Sequence, residues 1–225
     1  MSKNVLILAT SGAGKTTLAN TMNPEDTFFI QGTTRRLPWK GSAKQYTKFN
    51  LKDMTGNILL QKDINKMGAN IKFIGDKLPH VKNIIFDDFN YLQTDEYLRR
   101  RGDKNYYDKY GDIAQAVNDA VVASTLLPNE VYVFFMMHTE VKPDGDIGPV
   151  TVGKMLDTLS KIEGRFDIVL YLERAASLSK GVAYNIYTGN KPGNVCKTPM
   201  GMFPPVMQGD LLNIKEKIEA YYSGE

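Results

Sequence analysis

Cysteine and histidine are nearly absent from this chain of 225 residues, which contains one cysteine, Cys196, and two histidines, His80 and His138. A single cysteine excludes an intrachain disulfide and a metal site built from several cysteines, and two histidines leave little for a histidine-rich site. Long apolar runs are missing too, since the longest is Val131–Met137 and a membrane-spanning helix needs about 20 apolar residues. These absences predict a protein of a reducing cytoplasm that has no membrane partner.

An excess of charge of one sign is also missing. The 28 basic and 25 acidic residues leave a net charge of +3, which neither requires nor excludes a nucleic-acid partner. The apolar share of 42% and the charged share of 24% are ordinary for a globular protein and exclude disorder as the main state. Because no linker or internal repeat divides the chain, residues 1–225 are predicted to form a single domain.

Short apolar runs alternate with helical patterns along the chain. The runs predict strands at Val5–Leu8, Thr27–Ile30, Asn83–Phe86, Val131–Met137, Asp167–Leu172 and Val182–Thr188. Apolar residues spaced three or four apart predict helices at Thr16–Met22, Ile64–Leu78, Tyr91–Arg101, Ile113–Leu127 and Leu211–Tyr222. Residues 33–57 and 142–149 are predicted to be loops. The pattern predicts an α/β fold whose mostly parallel central sheet is flanked by helices, with antiparallel edge strands near the C-terminus.

A glycine-rich turn follows the first predicted strand. It runs from Ala9 to Thr16 with the sequence ATSGAGKT, which has the spacing of the P-loop motif G-x-x-x-x-G-K-[ST] with Ala9 in place of the first glycine. Such a loop curls its backbone N–H groups around a phosphate, which requires small residues, and the helix that follows adds the positive end of its dipole. The loop therefore predicts a nucleotide-binding site formed by Ser11, Gly12, Ala13, Gly14, Lys15, Thr16 and Thr17.

Two residues of this loop and two aspartates further along the chain each suit one task in phosphate chemistry. Lys15 is expected to bridge the β- and γ-phosphates, and the Thr16 hydroxyl is expected to ligate Mg²⁺. Asp87 and Asp88 end the third predicted strand, where ligands bind in open α/β sheets. Asp87 is predicted to join the Mg²⁺ shell and Asp88 to polarise the attacking water. The alternative is that Asp88 or Asn90 caps the next helix.

Two further positions are candidates for the same site. The strongest predicted strand ends at His138, and this residue or Thr139 after it is expected to sense the γ-phosphate; the alternative is a solvated histidine at a strand end. Lys154 is a candidate second cation near the phosphates, from the same chain or across a subunit interface. The alternative for Lys154 is a solvated lysine before a helix.

Several segments, taken in order, resemble a known family of phage-encoded P-loop nucleotide-binding proteins. These are AAA-type ATPases with a RecA-like core, found in phages of Gram-positive bacteria. After the P-loop, the likeness is carried by residues 23–30 (NPEDTFFI), 37–41 (LPWKG), 84–92 (IIFDDFNYL), 133–138 (VFFMMH), 152–157 (VGKMLD), 162–166 (IEGRF) and 197–203 (KTPMGMF).

The resemblance implies an ATPase that uses ATP and Mg²⁺ in phage DNA replication or recombination, in the host cytoplasm. It implies a homo-oligomer that acts on single-stranded DNA or with a phage single-strand binding or recombination protein. It assigns the P-loop roles to Lys15 and Thr16, the Mg²⁺ role to Asp87 and the sensor role to His138. The glutamate of a RecA pattern is missing at residues 31–33 (QGT), which favours Asp88 as the water-activating residue and permits a slow ATPase that acts as a switch.

Two segments mix cations with aromatic rings, as surfaces that bind single-stranded DNA do. The first contains Arg35, Arg36, Trp39, Lys40, Lys44, Tyr46 and Lys48, and the second contains Arg99, Arg100, Arg101, Lys104, Tyr106, Tyr107, Lys109 and Tyr110. The alternative for both is a solvated face whose rings pack on the core. An arginine of either segment is also a candidate finger for a neighbour's nucleotide.

Two other functions stay open. Residues 33–36 (TTRR) faintly resemble the nucleotide-binding stretch of guanylate kinases, which favours a small-molecule kinase. The other is a scaffold that is gated by a nucleotide and catalyses nothing. The sequence contains no base-recognition motif, so the preference for ATP over GTP rests on the resemblance.

Overall fold

Most of the predicted strands and helices form in the computed structural model, which describes residues 3–103, 105–128, 130–141, 145–152, 161–175, 183–189 and 193–224. The strands are β1 (Lys3–Ala9), β2 (Thr27–Gln31), β3 (Ile58–Leu60), β4 (Asn83–Asp87), β5 (Tyr132–Val141), β6 (Ile147–Pro149), β7 (Ile168–Ala175), β8 (Ala183–Tyr187) and β9 (Val206–Gln208). The α-helices are α1 (Ser42–Gln45), α2 (Met67–Lys77), α3 (Phe89–Arg99), α4 (Tyr106–Thr125) and α5 (Leu211–Tyr222). Short 3-10 helices lie at Thr16–Thr21, Ile64–Lys66 and Ile162–Arg165.

The strands form a sheet in the order β3-β2-β4-β5-β1-β7-β8-β9, and β6 pairs with the end of β5. In this order, all neighbouring strands from β3 through β2, β4, β5 and β1 to β7 pair in parallel. Strand β8 pairs antiparallel with both β7 and β9. The predicted mostly parallel sheet with an antiparallel edge near the C-terminus is therefore confirmed. Within the described ranges, no helix has the length and apolar character that crossing a bilayer requires.

The central strands are buried on both faces of the sheet, which explains why their sequences are continuously apolar. Helices α2, α3 and α4 cover one face. There the ring of Phe135 packs on Phe86, Phe89 and Phe166, with centroid distances of 4.7, 5.2 and 5.2 Å. Helix α5 and the 3-10 helix Thr16–Thr21 cover the other face. Packing on both faces fixes the positions of the strand ends.

The first predicted helix forms at the expected place, as a 3-10 helix and not as an α-helix. It is a 3-10 helix of six residues, Thr16–Thr21, and four of the six are threonine or asparagine. These residues are weak helix formers, and Pro24 prevents the chain from continuing the helix. The N-terminal dipole predicted for this helix is correspondingly small, because a dipole of this kind sums over successive peptide units.

Two segments predicted to be loops contain regular structure. Helix α1 lies within residues 33–57, and β6 lies within residues 142–149, of which the structure describes 145–149. Strands β3 and β9 were not predicted at all. Each of these elements is only three or four residues long, which is too short for a periodic pattern of hydrophobic residues to be recognised in the sequence.

We expect Phe135→Ala to lower the free energy of unfolding by about 3–5 kcal/mol, because it empties the centre of the aromatic cluster. Leu126→Ala is the matched control, since Leu126 is 80% exposed. Its free energy of unfolding should change by less than about 0.5 kcal/mol. Urea unfolding followed by circular dichroism measures both. Similar losses in the two variants would contradict the assignment of Phe135 to the core.

Candidate functional site

The strand order brings the ends of β1, β4 and β5 to one edge of the sheet. Strand β5 lies between β1 and β4 and pairs in parallel with both. In the β1–β5 register, Ala9 is opposite His138, so the loop after β1 starts beside the histidine. Asp87 is the last residue of β4, and Asp88 follows it. The structure thus brings together the P-loop, both aspartates and His138, as the sequence predicts.

The loop after β1 has the backbone that its glycines allow. Gly12 and Gly14 have φ angles of +76° and +103°, which residues with a Cβ rarely adopt. The Lys15 ammonium bends back over the loop and donates to the carbonyls of Ala9 and Thr10 at 3.2 and 3.3 Å. Burial lowers the pKa of Lys15 to about 8, although the negative charges of Asp88 and Asp87 act to raise it. The loop therefore holds a buried cation at the centre of its curve.

Oxygen atoms that suit Mg²⁺ meet at the first residue of the 3-10 helix. The Thr16 hydroxyl donates to Asp87 Oδ1 at 2.7 Å, and the Gln31 amide donates to Asp87 Oδ2 at 3.3 Å. Burial, together with the charge of Asp88, raises the pKa of Asp87, although both hydrogen bonds oppose the shift. No group of three histidine, cysteine, aspartate or glutamate ligands occurs in the described part of the chain. One carboxylate and one hydroxyl nevertheless fit Mg²⁺, because this ion keeps several bound waters and takes further oxygen ligands from the phosphates of a nucleotide.

Asp88 has a backbone conformation that is rare for a residue with a side chain. Its φ angle is +58°, and although it precedes α3, its carboxylate makes no capping hydrogen bond. Instead the carboxylate lies 3.2 Å from His138 Nε2 and 3.6 Å from a nitrogen of Arg35. Burial alone would raise the pKa of Asp88, but His138, Lys15 and Arg35 outweigh it and lower the pKa. Asp88 is therefore an ionised acceptor whose backbone strain is typical of a functional position.

His138 links the P-loop lysine to Asp88. Its Nδ1 atom lies 3.0 Å from the Lys15 ammonium. A charged ammonium can only donate, so Nδ1 accepts and the neutral ring carries its hydrogen on Nε2. That hydrogen is on the side of Asp88, where the dipole of the N–H group favours the ionised carboxylate, although the contact lacks the alignment of a regular hydrogen bond. The Asn90 side chain accepts from the His138 backbone N–H at 3.2 Å and holds the strand end in place.

These groups surround a cavity of about 270 Å³. It is lined by Ser11, Gly12, Gly14, Lys15, Thr16, Thr17, Arg35, Arg36, Pro38, Asp87, Asp88 and His138. All the predicted P-loop residues except Ala13 line it. Sequence reasoning missed Gln31 as a partner of Asp87. It left three places open for Arg35, which were a DNA surface, a neighbour's site and the nucleotide-binding stretch of a kinase. Gln31 ends β2 and is paired with Asp87 of β4, and Arg35 follows four residues later, so their position at the end of β2 was the available signal.

The first cation-rich segment uses its aromatic rings for packing. The rings of Trp39 and Tyr46 pack on Phe29, at centroid distances of 6.4 and 5.0 Å, and Tyr46 is buried. The alternative of rings packed on the core therefore describes this segment. Two of its arginines, Arg35 and Arg36, line the cavity.

Two arginines of the second cation-rich segment are neutralised by neighbouring acids. Arg99 pairs with Glu96, and Arg100 pairs with both Asp103 and Asp112. Lys104 lies outside the described residues, and so does Lys154, the candidate second cation of the nucleotide site.

Comparison with known proteins identifies the fold. The solved structure titled "The Structure Of A DnaB-Like Replicative Helicase And Its Interactions With Primase" matches with a TM-score of 0.50 and 16% identity, over 92% of this chain and 54% of that chain. This chain thus spans about half the length of the helicase chain, and the likeness shows a shared RecA-like P-loop fold. No curated protein sequence matches. A family profile described as an AAA domain matches residues 1–200, so the chain belongs to the AAA domain family.

Proposed function

We propose that this protein is a Mg²⁺-dependent ATPase that hydrolyses the bond between the β- and γ-phosphates. The observation that carries the proposal is the meeting of Lys15, Thr16, Asp87, Asp88 and His138 around one cavity. A cation for phosphate oxygens, two oxygen ligands for a metal ion and an ionised acceptor for water are the groups that this reaction needs. ATP in place of GTP is supported by the family resemblance alone.

Lys15 and the metal ligands hold the phosphates. The Lys15 ammonium is buried, and its present acceptors are two backbone carbonyls and His138 Nδ1, all uncharged, so a phosphate oxygen is a stronger partner for it. Thr16 and Asp87 would hold Mg²⁺, which neutralises charge on the phosphate oxygens when it is bound. Gln31 keeps the Asp87 carboxylate turned towards Thr16. Fixed positions make these groups effective, because they need no rearrangement as charge develops.

Asp88 is the residue proposed to orient water. The oxygen of a water molecule attacks the γ-phosphorus, the bond from that phosphorus to the bridging oxygen breaks, and the products are ADP and phosphate. A carboxylate with a lowered pKa accepts a hydrogen bond well but takes a proton poorly, so Asp88 aligns the water. His138 lies between Lys15 and Asp88, so its contacts would change when a γ-phosphate draws the Lys15 ammonium away from it. His138 is therefore the proposed sensor.

We propose further that this ATPase acts in phage DNA replication or recombination, as an oligomer on single-stranded DNA. The ordered family segments support this role, and the helicase-like fold is compatible with it. We expect single-stranded DNA to raise the rate of ATP turnover, as measured by phosphate release with and without an oligonucleotide. A rate that DNA does not change would contradict the DNA role. No turnover while ATP still binds would leave a nucleotide-gated scaffold as the better description.

A nucleotide kinase is the second candidate function, because Arg35 and Arg36 line the cavity next to Asp88. Arginines in that position can bind the phosphate of an acceptor nucleotide. Chromatography of the products after adding AMP or GMP separates the two functions. A kinase converts the monophosphate to a diphosphate, whereas an ATPase leaves it unchanged.

We expect Lys15→Ala to reduce ATP turnover by at least about 100-fold, because it removes the cation that stabilises charge on the transferred phosphoryl group. Lys44→Ala is the matched control, since Lys44 is exposed and lies outside the cavity. Phosphate release measures both variants, and circular dichroism confirms that they fold. A folded Lys15→Ala protein with unchanged turnover would refute the assignment.

We expect ATP affinity to fall as the pH rises above 8. Burial lowers the pKa of Lys15 to about 8, so the free protein holds this side chain charged at pH 7 and mostly neutral at pH 9. Phosphate binding needs the ammonium, so binding at pH 9 must take up a proton, and the affinity should weaken by up to about tenfold per pH unit. Calorimetry in buffers of different ionisation enthalpy counts that proton. No uptake at pH 9, or equal uptake by Lys15→Met, would contradict this role of Lys15.

A further inference from the structure

The ring of Tyr184 lies against the phosphate-binding loop. Tyr184 belongs to β8, and a methyl group built on Gly14 would lie 2.3 to 2.6 Å from the ring atoms Cε1, Cζ and Oη. The ring therefore covers the P-loop backbone immediately before Lys15. The proposed hydrolysis gives this aromatic residue no role, and its side chain is only half-buried.

The strand order decides on which side of the P-loop a nucleoside would lie. In the order β4-β5-β1-β7-β8, the proposed γ-phosphate groups Asp88 and His138 are on one side of β1, and β7 and β8 are on the other. The three phosphates of a nucleotide are joined in a row, and the curve of the loop holds the middle one. The nucleoside must then extend away from Asp88 and His138, towards β7 and β8.

The β7 side of the loop has room for a ligand and suitable chemistry. A cavity of about 410 Å³ borders P-loop residues 10–13 and the end of β7 at Tyr171, Glu173 and Arg174. Arg174 is directly opposite Tyr184 in the antiparallel register, so both side chains project from the same face of the sheet. A guanidinium group beside an aromatic ring is a combination that stacks on nucleobases.

We propose that Tyr184 is the base-binding residue of the nucleotide site and that its ring stacks on the base. This inference rests on the proposed ATPase function. An aromatic ring contacts the flat face of a base and leaves the hydrogen-bonding edge unread, so it accepts different bases and favours those that stack strongly. The structure thus assigns the site to purine nucleoside triphosphates, with little discrimination between ATP and GTP.

Calorimetry with ATP and with inorganic tripolyphosphate, both with Mg²⁺, separates the base from the phosphates. For Tyr184→Leu we expect the ATP affinity to fall by about 10-fold, which is the usual effect of removing one stacked ring, while the tripolyphosphate affinity stays unchanged. Tyr184→Phe should keep the ATP affinity, since it keeps the ring. Tyr221→Leu is the matched control, because Tyr221 is also half-buried but lies in α5 and lines neither cavity.

The outcomes distinguish failure of this inference from failure of the ATPase proposal. An equal loss of ATP and tripolyphosphate affinity in Tyr184→Leu would overturn the inference, because the ring would then act only by supporting the P-loop. Unchanged ATP affinity in that variant would overturn it as well. Wild-type protein that binds neither ligand would contradict the proposed ATPase itself. A wild type that binds ATP more tightly than tripolyphosphate, with that advantage lost in Tyr184→Leu, supports the inference.

Discussion

The parallel pairing of β5 between β1 and β4 is the constraint on which the candidate site depends. It places Ala9 opposite His138 and brings Asp87 and Asp88 to the same edge of the sheet. A shift of one residue in this register would turn the His138 side chain to the other face, away from Lys15. The aromatic core around Phe135 makes such a shift costly, because the same shift would move this ring out of its cluster and into the packing on the other face of the sheet. Packing far from the site therefore sets its geometry.

The site concentrates charge that burial makes unfavourable. Lys15 and Asp87 both have pKa values displaced towards their neutral forms, whereas Asp88 stays ionised because His138, Lys15 and Arg35 surround it. A phosphate and a divalent cation would relieve both displacements, since each supplies the opposite charge to one buried group. Such an arrangement favours ligand binding over stability of the empty protein, which is common at functional sites.

The sequence predicted the parts of the site that lie close together in the chain or follow strong strands. The P-loop glycines, Lys15 and the two aspartates belong to local patterns, and the apolar runs before them predicted β1 and β4 correctly. Tyr184 was beyond such reasoning, because its place beside the P-loop depends on the order of strands in the sheet. Strands β3 and β9 are three residues long and leave no periodic signal.

A crystal structure with Mg²⁺ and a non-hydrolysable ATP analogue tests the central claim most directly. The account predicts an ion bound by Thr16 and Asp87, and the Lys15 ammonium moved from the carbonyls of Ala9 and Thr10 onto a phosphate oxygen. A nucleotide bound outside the P-loop, or one whose phosphates leave Lys15 on those carbonyls, would contradict the account.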